Sequence, residues 1–265
     1  MNKIAIENAD VSYKVDGNGP GLVLVHGTGG SAENNWEHLV SALAENWTVV
    51  RPNYSGSGET IDTEGDLTAE ETARQVVAAA KAAGAVPFDL VGFSLGSAIS
   101  TVIAADYPHL VKRVVLLSPF LSNRDPRQKI QFELWRELIK EDRNALIRLI
   151  LLTGFSPRFI SELGHEGVSA IIDSFILEIN WEGMTRQIEL DISIDVQDAA
   201  IRISKPALII GATHDHIAPS FHAKAVAATI SGSRYVELDT GHLAHIERPD
   251  EFISLLKDFF LSGDK

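Results

Sequence analysis

The sequence predicts an α/β protein in which a mostly parallel sheet carries helices on both faces and a helical segment is inserted between two strands. Three observations predict it. Short apolar runs bounded by Gly, Pro, Asn or Ser are typical of buried parallel strands, and they occupy residues 22–25, 47–50, 88–91, 114–117, 207–210 and 235–238. Helix-like periods separate most of these runs, and the middle of the chain contains no β-rich run at all.

The first elements predict an edge of the sheet. Residues 3–6 and 11–15 alternate polar with apolar side chains and are separated by Asn8 and Asp10, which predicts an antiparallel hairpin. The glycine-rich stretch 17–21 then predicts a turn into the first buried strand.

Two helices of the core follow, and both have clear end signals. Residues 69–83 are rich in alanine, with acidic residues in the first turn and Gly84 just past the last. Residues 95–107 form a second apolar helix, which Pro108 stops.

The middle of the chain predicts helices alone. Amphipathic periods appear at 127–139, 143–152 and 168–180. We therefore expect an insertion that covers one side of the sheet. The expected division is a core of residues 1–121 and 205–265 with a helical cap at 122–204.

Charge and composition exclude several classes of protein. The 265 residues carry a formal net charge of −13 without a Lys/Arg cluster, so we expect no nucleic acid and no membrane surface as partner. The absence of cysteine excludes disulfides, thiolate metal ligands and a cysteine nucleophile. Apolar runs are too short to span a bilayer, and residues 1–10 lack the apolar region of a secretory signal, so we expect a cytoplasmic protein.

The string Gly92-Phe93-Ser94-Leu95-Gly96 carries the sharpest chemical signal. A G-x-S-x-G string arises easily by chance, but this one follows the predicted strand 88–91 and opens the predicted helix 95–107. Ser94 is therefore expected on a tight turn, from which the two glycines remove clashing side chains. A serine hydroxyl needs a base held by an acid to act as a nucleophile, so we look for both after other strands.

With this turn and suitable residues after two later strands, nearly the whole chain resembles the α/β-hydrolase family, whose chain order is nucleophile, acid, histidine. The segment from Gly211 to Pro219 is similar to the family's acid turn, which implies Asp215 as the acid. The loop that begins at Gly241 is similar to the family's histidine loop, which implies His242 as the general base. Asp239 is the rival acid.

Three further histidines lie near these positions. His245 is expected to pack in its loop, and His214 and His216 are expected to be solvent-facing neighbours of the acid. A metal site formed by these residues with His242 is the weaker alternative, because no recognised ligand spacing supports it. We expect neither a metal nor a cofactor.

The resemblance also implies two backbone donors for an oxyanion. The N–H of Leu95, directly after the nucleophile, is the first. The second comes from the glycine-rich loop His26-Gly27-Thr28-Gly29-Gly30, where the N–H of Thr28 is expected and that of Gly29 stays open. Losing one such donor typically lowers turnover by ~10² to 10³.

These residues together predict acyl transfer from a small-molecule substrate to Ser94. The predicted substrate is an ester or a lactone, and the same chemistry also fits a thioester. There are two alternatives, since relatives of both kinds share this architecture. One is a carbon–carbon hydrolase of ring-cleavage products, and the other is a ligand-binding signalling protein with slow turnover. Candidates for substrate contact are Phe93, Phe120, Trp181 and Arg186, against the alternative that they are core or surface residues.

Overall fold

The computed structural model describes residues 1–63 and 65–261, in which strands alternate with helices. The strands are β1 (Asn2–Ile6), β2 (Ala9–Asp16), β3 (Gly21–Val25), β4 (Thr48–Pro52), β5 (Ile61–Asp62), β6 (Phe88–Phe93), β7 (Val111–Leu117), β8 (Ala207–Ala212) and β9 (Arg234–Leu238). The helices are α1 (Glu37–Leu43), α2 (Ala69–Ala82), α3 (Leu95–Asp106), α4 (Pro126–Glu141), α5 (Arg143–Gly154), α6 (Pro157–Glu178), α7 (Trp181–Ser193), α8 (Gln197–Arg202), α9 (Ser220–Thr229), α10 (Ala244–Glu247) and α11 (Pro249–Leu261).

The described strands pair into one sheet in the order β1-β2-β4-β3-β6-β7-β8-β9, with β5 against β2. Pairs that involve β2 are antiparallel, and every pair from β4 to β9 along the sheet is parallel. The edge hairpin and the mostly parallel sheet are therefore confirmed. Strand order reverses at β3, so a crevice is expected outside the carboxyl ends of β3 and β6.

Burial explains why the strands read as continuous apolar runs. All residues of β3, β6 and β8 are buried, because helices cover both faces of the sheet. Helix α3 is buried along almost its whole length and contacts β3, β6 and β7. The site that follows β6 therefore rests on the most deeply packed part of the molecule.

Five helices, α4 to α8, lie between β7 and β8. The sequence predicts α4 and α5 closely, whereas α6 begins well before the predicted residue 168 and has a break in helical geometry at Gly164 (φ 64°). Helix α7 is missed because its buried face includes Gly183, Gln187 and Asp191, which blur an apolar period of 3.6 residues. Within the described ranges, no helix combines the length and the apolar character that crossing a bilayer requires.

Candidate active site

Ser94 lies on a sharp turn between β6 and α3. Its backbone adopts φ 53° and ψ −122°, a region that L residues rarely occupy. A Cβ on Gly92 would lie 2.3 Å from the carbonyl oxygen of Gly96, and a Cβ on Gly96 would lie 2.3 Å from that of Val25. The turn therefore requires both glycines, and it holds the serine at the carboxyl edge of the sheet.

Three side chains from separate loops form a hydrogen-bonded chain at this turn. His242 Nε2 lies 2.9 Å from Ser94 Oγ, and His242 Nδ1 lies 2.7 Å from Asp215 Oδ2. All three residues are buried. An ionised carboxylate only accepts hydrogen bonds, so Nδ1 donates to it and Nε2 is left to accept from the serine hydroxyl. This arrangement can move the hydroxyl proton onto the imidazole as the oxygen attacks a carbonyl.

The turn after β8 orients the carboxylate. Asp215 Oδ1 accepts hydrogen bonds from the backbone N–H groups of Ile217 and Ala218, both at 2.8 Å. These bonds occupy one carboxylate oxygen and leave Oδ2 to the imidazole. The rival Asp239 is mostly exposed and pairs with His214 at 2.9 Å, away from His242.

The loop that carries the histidine is held by residues that the sequence analysis missed. Ser118 Oγ, directly after β7, donates to the carbonyl oxygen of His242 at 2.9 Å. Glu247 Oε1 accepts from the N–H of Gly241 at 2.9 Å and from that of Ser156 at 2.8 Å. A serine at a strand's carboxyl end was the available signal for Ser118, whereas the role of Glu247 depends on a contact 91 residues away in the chain.

The glycine-rich loop after β3 lies against the serine. A Cβ on Gly27 would lie 3.0 Å from Cβ of Ser94, so the backbone approaches as closely as glycine allows. The N–H of Gly27 donates to Asn35 Oδ1 at 3.1 Å, and that of Gly29 donates to Gln187 Oε1 at 2.7 Å. Because the Gly29 amide is engaged, the geometry favours Thr28 over Gly29 as a backbone donor towards Ser94.

A cavity of about 70 Å³ lies against Ser94 and His242. The core loops contribute residues around Thr28, and four of the helices between β7 and β8, or their ends, contribute apolar side chains. The apolar lining from those helices is Trp135, Ile150, Phe175, Ile179 and Met184. No Lys, Arg, Asp or Glu of the described chain is among the lining residues.

The predicted substrate contacts divide between this cavity and other places. Phe93 lines the cavity, with its ring centroid 5.0 Å from that of His242. Phe120 is buried in the core against Phe132, and Trp181 Nε1 donates to a carbonyl within the helical insertion. Neither lines the cavity, so its geometry does not support a substrate contact for either residue, and both stay predictions from residue type.

Arg186 is also placed away from the cavity. Its guanidinium pairs with both carboxylate oxygens of Asp62 at 2.9 and 3.0 Å and donates to the carbonyl oxygen of Gly65. A bidentate bond within the protein satisfies the planar guanidinium, so the geometry does not support the expected role as a substrate-carboxylate binder, which stays a prediction.

Two other histidines are buried close to the site. His26 stacks on Tyr54, and burial lowers its pKa to about 4. His245 packs 4.5 Å from the Phe93 ring, and burial, followed by the charges of His38 and His242, lowers its pKa well below the usual range. Both rings are therefore neutral near pH 7. In the described ranges no three His, Asp or Glu side chains are grouped to hold a metal.

Similarity to known proteins extends over nearly the whole chain. A family model described as alpha/beta hydrolase fold matches residues 20–155. Pyrrolizixenacetamide deacetylase of Xenorhabdus hominickii is 67% identical over 100% of this chain and 99% of its own length.

Two solved structures share the fold. The enol-lactonase from Burkholderia xenovorans LB400 is 25% identical with a TM-score of 0.86, over 98% of this chain and 100% of that one. MGS-M2 is an alpha/beta hydrolase enzyme from a Medee basin deep-sea metagenome library. It is 22% identical with a TM-score of 0.89, over 98% of this chain and 97% of that one. The chain belongs to the alpha/beta hydrolase family.

Proposed function

We propose that this protein hydrolyses the amide bond of a small-molecule acetamide through an acyl-enzyme on Ser94. The hydrogen-bonded chain from Ser94 through His242 to Asp215 carries the proposal, because it supplies a nucleophile, a base and an acid that orients the base. The choice of an acetamide rests on the 67% identity with a protein named as an acetamide deacetylase.

The reaction has two halves. As Ser94 Oγ bonds to the acetamide carbonyl carbon, its proton passes to His242 Nε2 and the carbonyl electrons form an oxyanion, which faces the N–H groups of Thr28 and Leu95. When the oxyanion collapses, the carbon–nitrogen bond breaks, and His242 returns the proton to the departing amine. Water then attacks the acetyl ester by the same route in reverse and releases acetate.

The cavity supports a short, uncharged acyl group. Its volume of about 70 Å³ and its apolar lining suit an acetyl group better than a long or charged one. Burying a carboxylate where no cation lines the wall costs several kcal/mol, roughly. We take residues 122–204 as a cap, since helices from this segment form the roof over Ser94.

Acetate release from an aryl acetamide tests the proposal. We expect wild-type protein to release acetate and Ser94→Ala to lose the rate by on the order of 10⁶-fold, with Asp215→Asn about 10⁴-fold slower because the histidine loses its orienting acceptor. Ser41→Ala, an exposed serine on α1, is the matched control and should keep the wild-type rate. An acetyl adduct on Ser94 should appear after rapid acid quench. Undiminished acetate release by Ser94→Ala would exclude the mechanism.

An ester or lactone is the second candidate substrate. The likeness to an enol-lactonase at a TM-score of 0.86 favours it, and the same relay serves both bonds. The p-nitrophenyl esters of acetate, butyrate and octanoate, assayed beside the acetamide and a lactone, separate the two. Fast ester turnover without any amide turnover would replace the acetamide proposal. A ring-cleavage diketone in the same panel tests a carbon–carbon hydrolase, and tight binding without turnover would indicate a ligand-binding signalling protein.

A further inference from the structure

Helix α7, from the inserted helices, is joined by hydrogen bonds to two loops of the core. Gln187 Oε1 accepts from the N–H of Gly29 at 2.7 Å. Its Nε2 donates to Ser57 Oγ at 2.8 Å and to the carbonyl oxygen of Ser55 at 3.3 Å. This one fully buried amide therefore ties the glycine-rich loop after β3 to the loop after β4.

One helical turn later, Asp191 reaches the same loop. Its Oδ2 accepts from the hydroxyl of Thr28 at 2.7 Å, and the residue is completely buried. Burial raises the pKa of Asp191 well above its usual range, against a smaller lowering by the Thr28 hydrogen bond, so the site favours the neutral carboxyl group. A neutral carboxyl can remain buried at this position without a cation.

The backbone of α7 is seated closely enough to fix these bonds. A Cβ on Gly183 would lie 1.9 Å from the carbonyl oxygen of Gly56, so the backbones of α7 and of the loop after β4 approach as closely as glycine allows. Met184 packs against Gly29, whose φ of +69° turns the loop. Helix α7 therefore contacts the loop after β3 through its side chains and the loop after β4 through both its side chains and its backbone.

Fold stability alone does not account for two buried polar side chains here, because apolar side chains of similar size would fill the same space without polar groups to satisfy. Asp191 bonds to Thr28, which carries the proposed donor N–H, and Gln187 bonds to Gly29, the next residue of the loop. An oxyanion donor stabilises a transition state only when it is held in place before the reaction.

We propose that Gln187 and Asp191 are positioning residues that hold the loop after β3, so that the Thr28 N–H points at the oxyanion formed on Ser94. This inference rests on the proposed function, since it concerns the same acyl transfer. Docking of α7 then completes the oxyanion site, and neither side chain needs to touch the substrate.

The test compares isosteric and conservative variants with p-nitrophenyl acetate as the substrate. Gln187→Met and Asp191→Leu should lower kcat about 10- to 100-fold and leave KM within about twofold, because the loop loosens while the cavity keeps its shape. Asp191→Asn keeps an oxygen that accepts from Thr28 and should stay within about threefold of the wild-type kcat. Glu182→Ala, an exposed residue of α7, is the control.

A second pair of variants breaks the same bond from the core side. Thr28→Val keeps the backbone N–H but removes the hydroxyl, and should reproduce the loss in kcat seen in Asp191→Leu. Thr28→Ser should restore it. The pair keeps the inference testable if Asp191→Leu fails to fold.

Affinity for phenylboronic acid, measured by calorimetry, reports on the oxyanion site without turnover. It should fall in Gln187→Met and Asp191→Leu by the same factor as kcat. Unchanged kcat and boronate affinity in folded variants would overturn the inference, as would Asp191→Asn being as impaired as Asp191→Leu. Wild-type protein without Ser94-dependent turnover would instead overturn the proposed function, and the boronate series still judges the positioning role.

Discussion

Ser94 occupies backbone angles that favour glycine, with φ at 53°. Holding a residue with a Cβ in such a region costs of order 1–3 kcal/mol, and the packed turn between β6 and α3 opposes that cost. Strain of this kind is tolerated where it places a side chain for chemistry. The Ser94 hydroxyl, which lies within hydrogen-bond distance of His242, is the side chain that we propose for that chemistry.

Replacing Ser94 should therefore separate stability from activity. We expect Ser94→Gly to be more stable than Ser94→Ala by about 1 kcal/mol, because glycine relieves the strain whereas alanine keeps the Cβ. Both variants lack the hydroxyl and should be inactive. Urea unfolding of the two proteins measures the difference, and equal midpoints would mean that the turn stores no strain.

The buried carboxyl of Asp191 makes stability depend on pH. Its raised pKa means that the folded state keeps a proton which the unfolded state releases above pH ~4. The unfolded state then binds fewer protons, so stability falls as pH rises, by about 1.4 kcal/mol per pH unit up to the folded pKa. Asp191→Asn lacks this dependence and should gain stability relative to the wild type as pH rises above ~4. The free energy of unfolding of both proteins, measured by denaturant at several pH values, tests this. If the two plots against pH stay parallel over that range, Asp191 is not neutral in the folded state.

At the scale of elements, the turn between β6 and α3 packs against β3 through glycine. Gly96 would place a Cβ 2.3 Å from the carbonyl oxygen of Val25 and 2.4 Å from that of His26. Both contacts are with backbone, which cannot move aside as a flexible side chain can. The strand, the turn and the helix therefore form one unit with the glycine-rich loop after β3.

Gly96→Ala should disturb that unit. We expect a loss of several kcal/mol, roughly, because overpacking against backbone displaces α3 from β3. Gly84→Ala is the control: its φ is +67° with open space around a Cβ, so only about 1 kcal/mol of backbone strain is expected. Thermal unfolding compares the stability of the two variants. Similar losses of stability would show that the close approach of residue 96 to the backbone of Val25 and His26 does not affect stability.

The helices between β7 and β8 also hold the proposed catalytic loops. At the corner between α5 and α6, the N–H of His216 donates to the carbonyl oxygen of Thr153, and that of Leu243 donates to the carbonyl oxygen of Gly154. The loops that carry Asp215 and His242 are thus fastened to the same corner. The inserted helices therefore fix the position of the loop that carries Asp215 relative to the loop that carries His242.

Across the whole molecule, buried neutral histidines should set the sensitivity to acid. The pKa of His26 is lowered to about 4 and that of His245 is lowered well below its usual range, both mainly by burial. Below pH ~6.5 the unfolded chain gains protons at these residues and the folded chain does not. These histidines therefore lower stability as pH falls from 6.5 towards 4, by about 1.4 kcal/mol per unit each, against the opposite contribution of Asp191.

Removing one of these histidines should lessen that loss. His245→Phe keeps an aromatic ring beside Phe93 and Trp36 and cannot be protonated, so its stability should fall less steeply than that of the wild type between pH 6.5 and 5. His109→Gln, at an exposed position, should follow the wild-type curve. Denaturant unfolding at several pH values measures the slopes, and identical slopes for His245→Phe would contradict the prediction.

Local patterns predicted much of this molecule. Buried parallel strands leave continuous apolar runs, and the turn at Ser94 leaves a glycine-flanked serine between a strand and a helix. Helix α7 and the start of α6 were harder to predict, because their periods are mixed with glycine and buried polar residues. Phe120, Trp181 and Arg186 were assigned as substrate contacts by residue type. Residue type does not determine which other residues a side chain contacts in the folded protein.

The sequence by itself determined the order of the buried strands and the sharp turn at Ser94, since each depends on residues close together in the chain. Asp215 and His242 were implied by the resemblance to the α/β-hydrolase family, and their catalytic roles stay predictions. Only the tertiary structure decided that Arg186 pairs with Asp62, that Ser118 supports His242, and that Gln187 and Asp191 meet Thr28 and Gly29. Those contacts join residues 124 to 163 positions apart in the chain. Packing of whole elements selects such partners, and no local pattern encodes them.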